Sequence, residues 1–371
     1  MPGRWRGWPM AKKLAVDKWL FTVIVVLVGS GLVMVFSASS AVARAQSEGL
    51  NPFLIKQSIA AAVGFGLMLA LMHLDYRRLR APVVVYGLLG LVLVMLIGVL
   101  FAPELNNTRR WFFVAGVSVQ PSEIAKLALI LFIASQIERK SDRVNQPELL
   151  LPVALVTGLV AGLVVLEPDL GTAVLLLLVA VTLTFLAGLS WCYLAGGAAV
   201  LLPVLFLLVV TSPYRVRRLL AFLNPESDPL DAGYQPLNSL IAVGSNGLFS
   251  HSLGQSLQKL YFLPHPHSDF VYAIVAEELG LVGALALLAL FAVLGWRGMR
   301  AGLGAPDLFG RFLAWGITAS LLLQGLINIS VAIALLPTKG IPLPFISYGG
   351  SSLVVTMAAC GVLLNLSEHG S

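Results

Sequence analysis

Charge is what this sequence has least of. Only 11% of its 371 residues are Asp, Glu, Lys or Arg, whereas a soluble domain carries roughly a quarter. Such a chain lacks the polar surface to meet water on all sides. Its hydrophobic content of 58% and mean hydropathy of +0.90 mean that lipid covers much of it. Cysteine is nearly absent as well. Cys192 and Cys360, both in apolar settings, make neither a disulfide framework nor a metal site. Acidic residues are outnumbered 18 to 24, leaving a net charge of +6. The basic residues fall in short clusters between apolar runs rather than in a stripe, which argues against a nucleic-acid partner and reads as topological signalling. There is no internal repeat, and the Gly158-x-x-x-Gly162 spacing carries no weight among 35 glycines.

Long apolar runs are what the chain has in abundance. A bilayer core requires about 20 apolar residues per helix. With that measure as guide there are about ten candidate spans: Trp19–Phe36, Ile55–Leu74, Pro82–Phe101, Ser122–Ile137, Leu149–Leu166, Leu170–Leu189, Leu194–Thr211, Phe270–Leu294, Phe312–Leu336 and Leu353–Leu366. Helices are the default, because an open sheet cannot satisfy its backbone in lipid. The expectation is an all-α polytopic membrane protein. Residues 1–18 form an inner tail, 19–367 a single transmembrane domain with a large outer loop at 212–269, and 368–371 a second inner tail. Arg4, Arg6, Lys12 and Lys13 precede the first run, and Ala43-Arg44-Ala45 loosely suits a signal-peptidase site. The run is longer than a signal core of roughly 7–15 residues, so it reads as an uncleaved first span. The basic stretches Asp75–Arg80, Glu138–Arg143 and Trp296–Arg300 fall on one side as short loops, placing both termini in the cytoplasm.

The outer segments hold most of the unusual polar residues. Arg109, Arg110 and Lys339 are cations placed against the topological preference, and an anionic ligand is the simplest reason. Pro121 suits the first turn of a helix on which Glu123 and Lys126 share a face, either as an ion pair or lining a cavity. Glu167-Pro168-Asp169-Leu170-Gly171 makes a tight hairpin whose carboxylates read first as solvated turn residues. Tyr214–Leu223 reads as a short basic interfacial helix. Pro264 and Pro266 delay the next helix, putting Asp269 near its outer start, either as a dipole-favoured terminal carboxylate or as a reactive one. His265 and His267 with Asp269 make a weak metal pattern. Leu336–Ser352, with three prolines and paired glycines, cannot form a regular helix, and such backbone at membrane depth needs protein or a watery cavity around it.

Together these segments resemble the signature motifs of the SEDS family (shape, elongation, division and sporulation) from Trp19 to Leu366. The motifs are Arg110-Trp111, Gln120-Pro-Ser-Glu-x-x-Lys126, Glu167-Pro-Asp-Leu-Gly171, His267-Ser-Asp-Phe270, Ala276-Glu-Glu-Leu-Gly280 and Pro344–Ser352. Pro337-Thr-Lys-Gly340 and Gly233-Tyr-Gln235 lean towards the division-type FtsW branch rather than the elongation-type RodA branch. The resemblance implies a ten-helix peptidoglycan glycosyltransferase that polymerises lipid II at the outer face of the bacterial cytoplasmic membrane, at the division septum. Its implied partners are a class B penicillin-binding protein (an FtsI-like transpeptidase) and other divisome proteins. The family's essential aspartate falls on Asp269. Arg110, Trp111, Glu123, Lys126, Lys339 and Ser351 become the substrate-binding candidates.

Polymerisation displaces a prenyl diphosphate from one sugar by a hydroxyl of another. The attacking hydroxyl needs a base to take its proton, and Asp269 is the candidate. Arg110, Lys126 and Lys339, alone or with a divalent cation (Mg or Mn), are the candidates for stabilising the leaving charge. A β-linked product from an α-linked donor requires one inverting displacement. The competing readings are a lipid II flippase, which would need polar groups through the bilayer depth, an elongation polymerase of the same family, and a division scaffold.

Overall fold

The computed structural model describes residues 16–46, 51–104, 108–114, 117–245, 247–248 and 269–369. His265 and His267 lie outside the described residues. Twelve helices are described: α1 (Lys18–Gln46), α2 (Pro52–His73), α3 (Pro82–Val99), α4 (Pro121–Arg139), α5 (Pro147–Leu166), α6 (Leu170–Leu186), α7 (Trp191–Val210), α8 (Pro213–Leu223), α9 (Tyr234–Gly244), α10 (Val271–Gly304), α11 (Leu308–Ala332) and α12 (Gly350–Glu368). Eight of them (α1, α2, α3, α5, α7, α10, α11 and α12) are long and apolar enough to cross a membrane. α6 is apolar but has 17 residues, and the 19-residue α4 carries Glu123, Lys126, Glu138 and Arg139. Each of the ten expected spans falls on one of these helices.

Proline opens α2, α3, α4 and α5 at the first turn, where its missing N–H costs nothing. Apolar side chains surround most of the spans, as lipid demands. The most buried elements are α4, α11 and α12, which form the centre of the bundle. α2 runs along α12, and Gly361 lets their backbones approach, since a Cβ there would lie 2.4 Å from Met68 O.

Three expectations need correction. Trp296–Arg300 is not a loop but part of the last turns of α10, and the turn lies at residues 305–307, because no proline interrupts the helix before Pro306. Arg297, on this last stretch of α10, pairs with Asp17, the residue that caps α1. The ninth span was expected to stay helical to Leu336, but α11 ends at Ala332; two residues on, Ala334 adopts a left-handed φ of 51°. Phe270–Leu294 is not one straight helix: Gly280 has φ 69° and ψ −170°, a conformation closed to side-chain-bearing residues, and it kinks α10. The amides of Leu281 and Val282 beyond the kink donate to the carbonyls of Gly247 and Leu248, shortly after α9, at 3.2 and 3.3 Å. The all-α expectation also missed a small antiparallel hairpin, Phe112–Val114 with Val117–Val119, just before α4.

Candidate active site

The site is built on segment 333–349, where prolines replace helical hydrogen bonds with side-chain ones. Ile341, Leu343, Phe345 and Ile346 are buried, so the irregular backbone is enclosed by protein as its polarity requires. Ser347 Oγ accepts from Leu343 N at 2.8 Å. Gln57 of α2 donates to Ser347 O and accepts from Gly349 N. Phe345 sits at φ 67°, a strained setting for an aromatic residue that persists only when its surroundings hold it. Gly31 of α1 supplies part of that hold: a Cβ there would come within 2.1 Å of Phe345 O.

Two amides of α11, four residues apart on one face, anchor the next stretch. Asn328 Nδ2 donates to Ile341 O at 2.8 Å and to Asp269 O at 2.9 Å. Gln324 Nε2 donates to Pro342 O at 2.9 Å, while its Oε1 accepts from Lys126 Nζ at 2.6 Å. Asn328 thereby fixes the Asp269 backbone to the Lys339-bearing segment. Asp269 itself stands just before α10, whose first turns from Val271 to Glu278 are buried throughout.

Arg110 reaches across to the turn between α5 and α6. Its guanidinium donates to Glu167 O at 3.1 Å and to Pro168 O, and lies 3.8 Å from Asp169 Oδ2. The turn carboxylates are not solvated as expected. Glu167 and Asp169 are both buried, because the turn is packed under Arg110 and the segment at Lys339. Asp169 caps α6 through Thr172 N and the Thr172 hydroxyl. Neither Glu167 carboxylate oxygen has a hydrogen-bond partner. Burial, reinforced by the charge of Asp169 and opposed by Arg110, pushes the Glu167 carboxyl up to about 8. Near neutrality it is largely uncharged, which leaves Asp169 as the carboxylate facing Arg110.

Gly340 marks where these groups meet. A Cβ at Gly340 would lie 3.5 Å from Asp269 Oδ2 and 3.8 Å from Arg110 Nη1. A carboxylate and a guanidinium from distant parts of the sequence thus border one small space, next to Lys339. Lys339 is held by backbone: Ile341 N donates to its carbonyl at 2.8 Å. Burial lowers its pKa, and it has no carboxylate partner among the described residues. Gly171 lets the α6 start pack against this residue, since a Cβ there would meet Ile341 Cγ1 at 2.8 Å and Lys339 Cβ at 3.4 Å. Arg218 of α8, stacked on Tyr214, donates to Thr338 O at 3.2 Å and ties α8 to the same segment.

The remaining candidates separate from this group. Glu123 and Lys126 form the expected i,i+3 pair at 2.8 Å, buried in the bundle, and reach the site through Gln324. They also line a cavity of about 20 Å³ with Thr356 and Gln324, room for little more than water. Ser351 Oγ accepts from Gln120 N at 3.1 Å, joining the starts of α12 and α4. Trp111 is half-buried beside the hairpin. Arg109 is exposed and paired with Glu104 at 2.8 Å. Among the described residues, no three His, Cys, Asp or Glu side chains gather as a metal site. Sequence reasoning missed Gln324, Asn328 and Gln57. Their signal was present: uncharged amides in otherwise apolar spans seldom stand there without a partner.

Comparison with known proteins gives a consistent result. The FtsW/RodA/SpoVE model, described as cell cycle protein, matches residues 18–371. A probable peptidoglycan glycosyltransferase FtsW of Trichlorobacter lovleyi is 40% identical over 95% of this chain and 93% of its own length. The stage V sporulation protein E of Bacillus subtilis is 40% identical over 96% of this chain and 98% of its own. Among solved structures, a chain from a peptidoglycan synthase complex that coordinates polymerization and crosslinking superposes with a TM-score of 0.80 at 33% identity, covering 95% of this chain and 98% of that one. Thermus thermophilus RodA superposes at 0.70 with 30% identity, covering 95% and 97%.

Proposed function

The chain belongs to the FtsW/RodA/SpoVE family, and on that footing we propose that it is a peptidoglycan glycosyltransferase of the FtsW branch, polymerising lipid II during septal wall synthesis. The observation that carries the reading is the shared space at Gly340, bordered by Asp269 Oδ2 and Arg110 Nη1. One group can accept a proton and the other can face a leaving anion, which are the two needs of a glycosyl displacement.

In this reading the acceptor hydroxyl loses its proton to Asp269 as its oxygen bonds to the donor's anomeric carbon. The bond to the prenyl diphosphate breaks in the same step, and its electrons leave with the phosphate oxygen. Arg110 and Lys339 stabilise that developing charge. Lys339 is suited to the role because burial has already stripped part of its hydration and no carboxylate among the described residues competes for it. A single displacement inverts the anomeric centre. Lys126, engaged by Glu123 and Gln324, holds the wall of the site rather than the diphosphate. Ser351, at the start of α12, and Trp111, beside the hairpin, stand apart from this group.

The chain is a multi-pass membrane protein. The basic inner turns support cytoplasmic termini and an outer 212–269 loop. Because a similar chain occurs in a peptidoglycan synthase complex with crosslinking activity, the natural partner is a class B penicillin-binding protein, with other division proteins around it. The decisive test is reconstitution of the purified protein in vesicles with fluorescent lipid II. Glycan chains support the polymerase, whereas leaflet exchange without glycan would assign the flippase instead.

A further inference from the structure

We infer that the end of the bundle opposite the active site binds the phosphate of an anionic phospholipid, in a cavity around Arg311. The cavity holds about 160 Å³ and lies between the turn after α4, the end of α6 and the start of α11. A buried water needs only about 10–15 Å³ on this measure, so there is space for a group of several heavy atoms.

Its lining divides by chemistry. Leu186, Phe312 and Trp315 give an apolar wall, while Arg311 and Ser141 are its polar members. Arg311 Nε is buried without a hydrogen-bond partner, and its guanidinium has no ion pair among the described residues. The adjacent Asp307 does not serve it: its carboxylate accepts from Gly310 N at 2.7 Å and from the Tyr76 hydroxyl at 2.8 Å. A cation in the first turn of a helix also opposes the helix dipole. An unpaired guanidinium in this setting is stabilised by an anion, and a planar donor fork suits a phosphate oxygen pair.

The position selects a lipid as the source. Leu186 at the cavity's edge and the neighbouring Phe185 are about two-fifths exposed on the face that lipid covers. Trp191 and Trp296, on the same end of the bundle, are 72% and 60% exposed, the placement of aromatic residues at headgroup depth. Arg139, Lys140, Arg143 and Arg300 surround this end and raise the local concentration of anionic headgroups. The walls are tied together: Asn145 donates to Gly188 O at 3.0 Å and accepts from Ser190 N at 2.7 Å, joining the α4–α5 turn to the α6–α7 turn. Under the orientation proposed above, the lipid belongs to the inner leaflet.

The test uses the full chain in nanodiscs of mixed phosphatidylcholine and phosphatidylglycerol, with native mass spectrometry reading the lipids kept on release. The wild type is expected to retain phosphatidylglycerol over phosphatidylcholine by about tenfold. Arg311→Gln removes that preference, and Arg217→Gln, an exposed cation on α8 away from the cavity, keeps it. Equal preference in wild type and Arg311→Gln overturns the proposal. So does displacement of the retained lipid by millimolar inorganic phosphate, which would assign a soluble anion. If Arg311→Gln does not fold, Leu186→Trp at the lipid-facing edge blocks the cavity, and undiminished retention in that variant also overturns it.

Discussion

Replacing Gly340 with alanine separates activity from stability at the proposed site. The added methyl would lie 3.5 Å from Asp269 Oδ2 and 3.8 Å from Arg110 Nη1, both ordinary contacts, with no backbone atom in the way. Gly340 is exposed, and its φ lies outside the left-handed region, so the backbone accepts a side chain. Gly→Ala at such a position typically stabilises by about 0.4–1 kcal/mol through the unfolded chain. Folding should therefore be unchanged or slightly improved. The methyl nevertheless fills the space that base and cation share, and displacing reacting atoms by about 1 Å costs roughly 10²-fold in rate. The expected outcome is a normal melting temperature in detergent with glycan synthesis reduced about 10- to 100-fold. Gly31→Ala is the contrast, since its Cβ would meet Phe345 O at 2.1 Å and the protein should lose stability along with activity. Full polymerase activity in folded Gly340→Ala would refute the placement of the reaction here. A large loss of stability would refute the steric reasoning.

Lys339→Ala should reduce glycan synthesis far more than Arg217→Ala, because Arg217 is exposed and pairs with Asp231 at 3.6 Å away from the site; equal losses in a lipid II polymerisation assay would misplace the diphosphate. Glu167, raised from 4.5 to about 8, holds in the folded state a proton that the unfolded chain releases, so its contribution to stability declines as pH rises between those values. Glu167→Gln keeps the neutral form at every pH, and its melting temperature should therefore gain on the wild type from about pH 5 to pH 8; parallel profiles would contradict the buried neutral carboxyl. A cysteine at Ser227, with Cys192 and Cys360 replaced, should react with an impermeant maleimide in spheroplasts, and labelling only after permeabilisation would invert the proposed orientation.

Much of the fold was legible because lipid leaves few choices: an apolar run of about 20 residues must be a helix, and its proline and charged borders show. Trp296–Arg300 misled because a basic cluster at a helix end and one in a short loop look alike in sequence. The Gly280 kink was invisible among so many glycines, since the amides it frees are satisfied by Gly247 and Leu248, far away in the chain. The candidate site was legible at Asp269, Arg110 and Lys339 through their motifs and, for the two cations, through the expectation that they stand against the charge rule. Their meeting point was not, because it depends on Asn328 and Gln324 holding residues 341–342 against Asp269 and Lys126. The turn at Glu167 and Asp169 read as solvated for a similar reason: nothing local announces that Arg110, more than fifty residues earlier, lies over it.

The central claim is that Asp269 is the proton acceptor in polymerisation, and Asp269→Asn tests it most directly. The amide preserves size and much of the hydrogen bonding, and Asn328 binds the backbone carbonyl at this position, which the substitution leaves in place. Losing base catalysis typically costs about 10²–10⁴ in rate, whereas losing a charge at a helix end costs about 0.3–1 kcal/mol of stability. The measurement is glycan formation from purified lipid II, with the melting temperature taken on the same preparation. The account predicts a folded protein that polymerises almost nothing. Near-normal glycan synthesis by folded Asp269→Asn would contradict it and leave Asp269 as a helix-terminal charge.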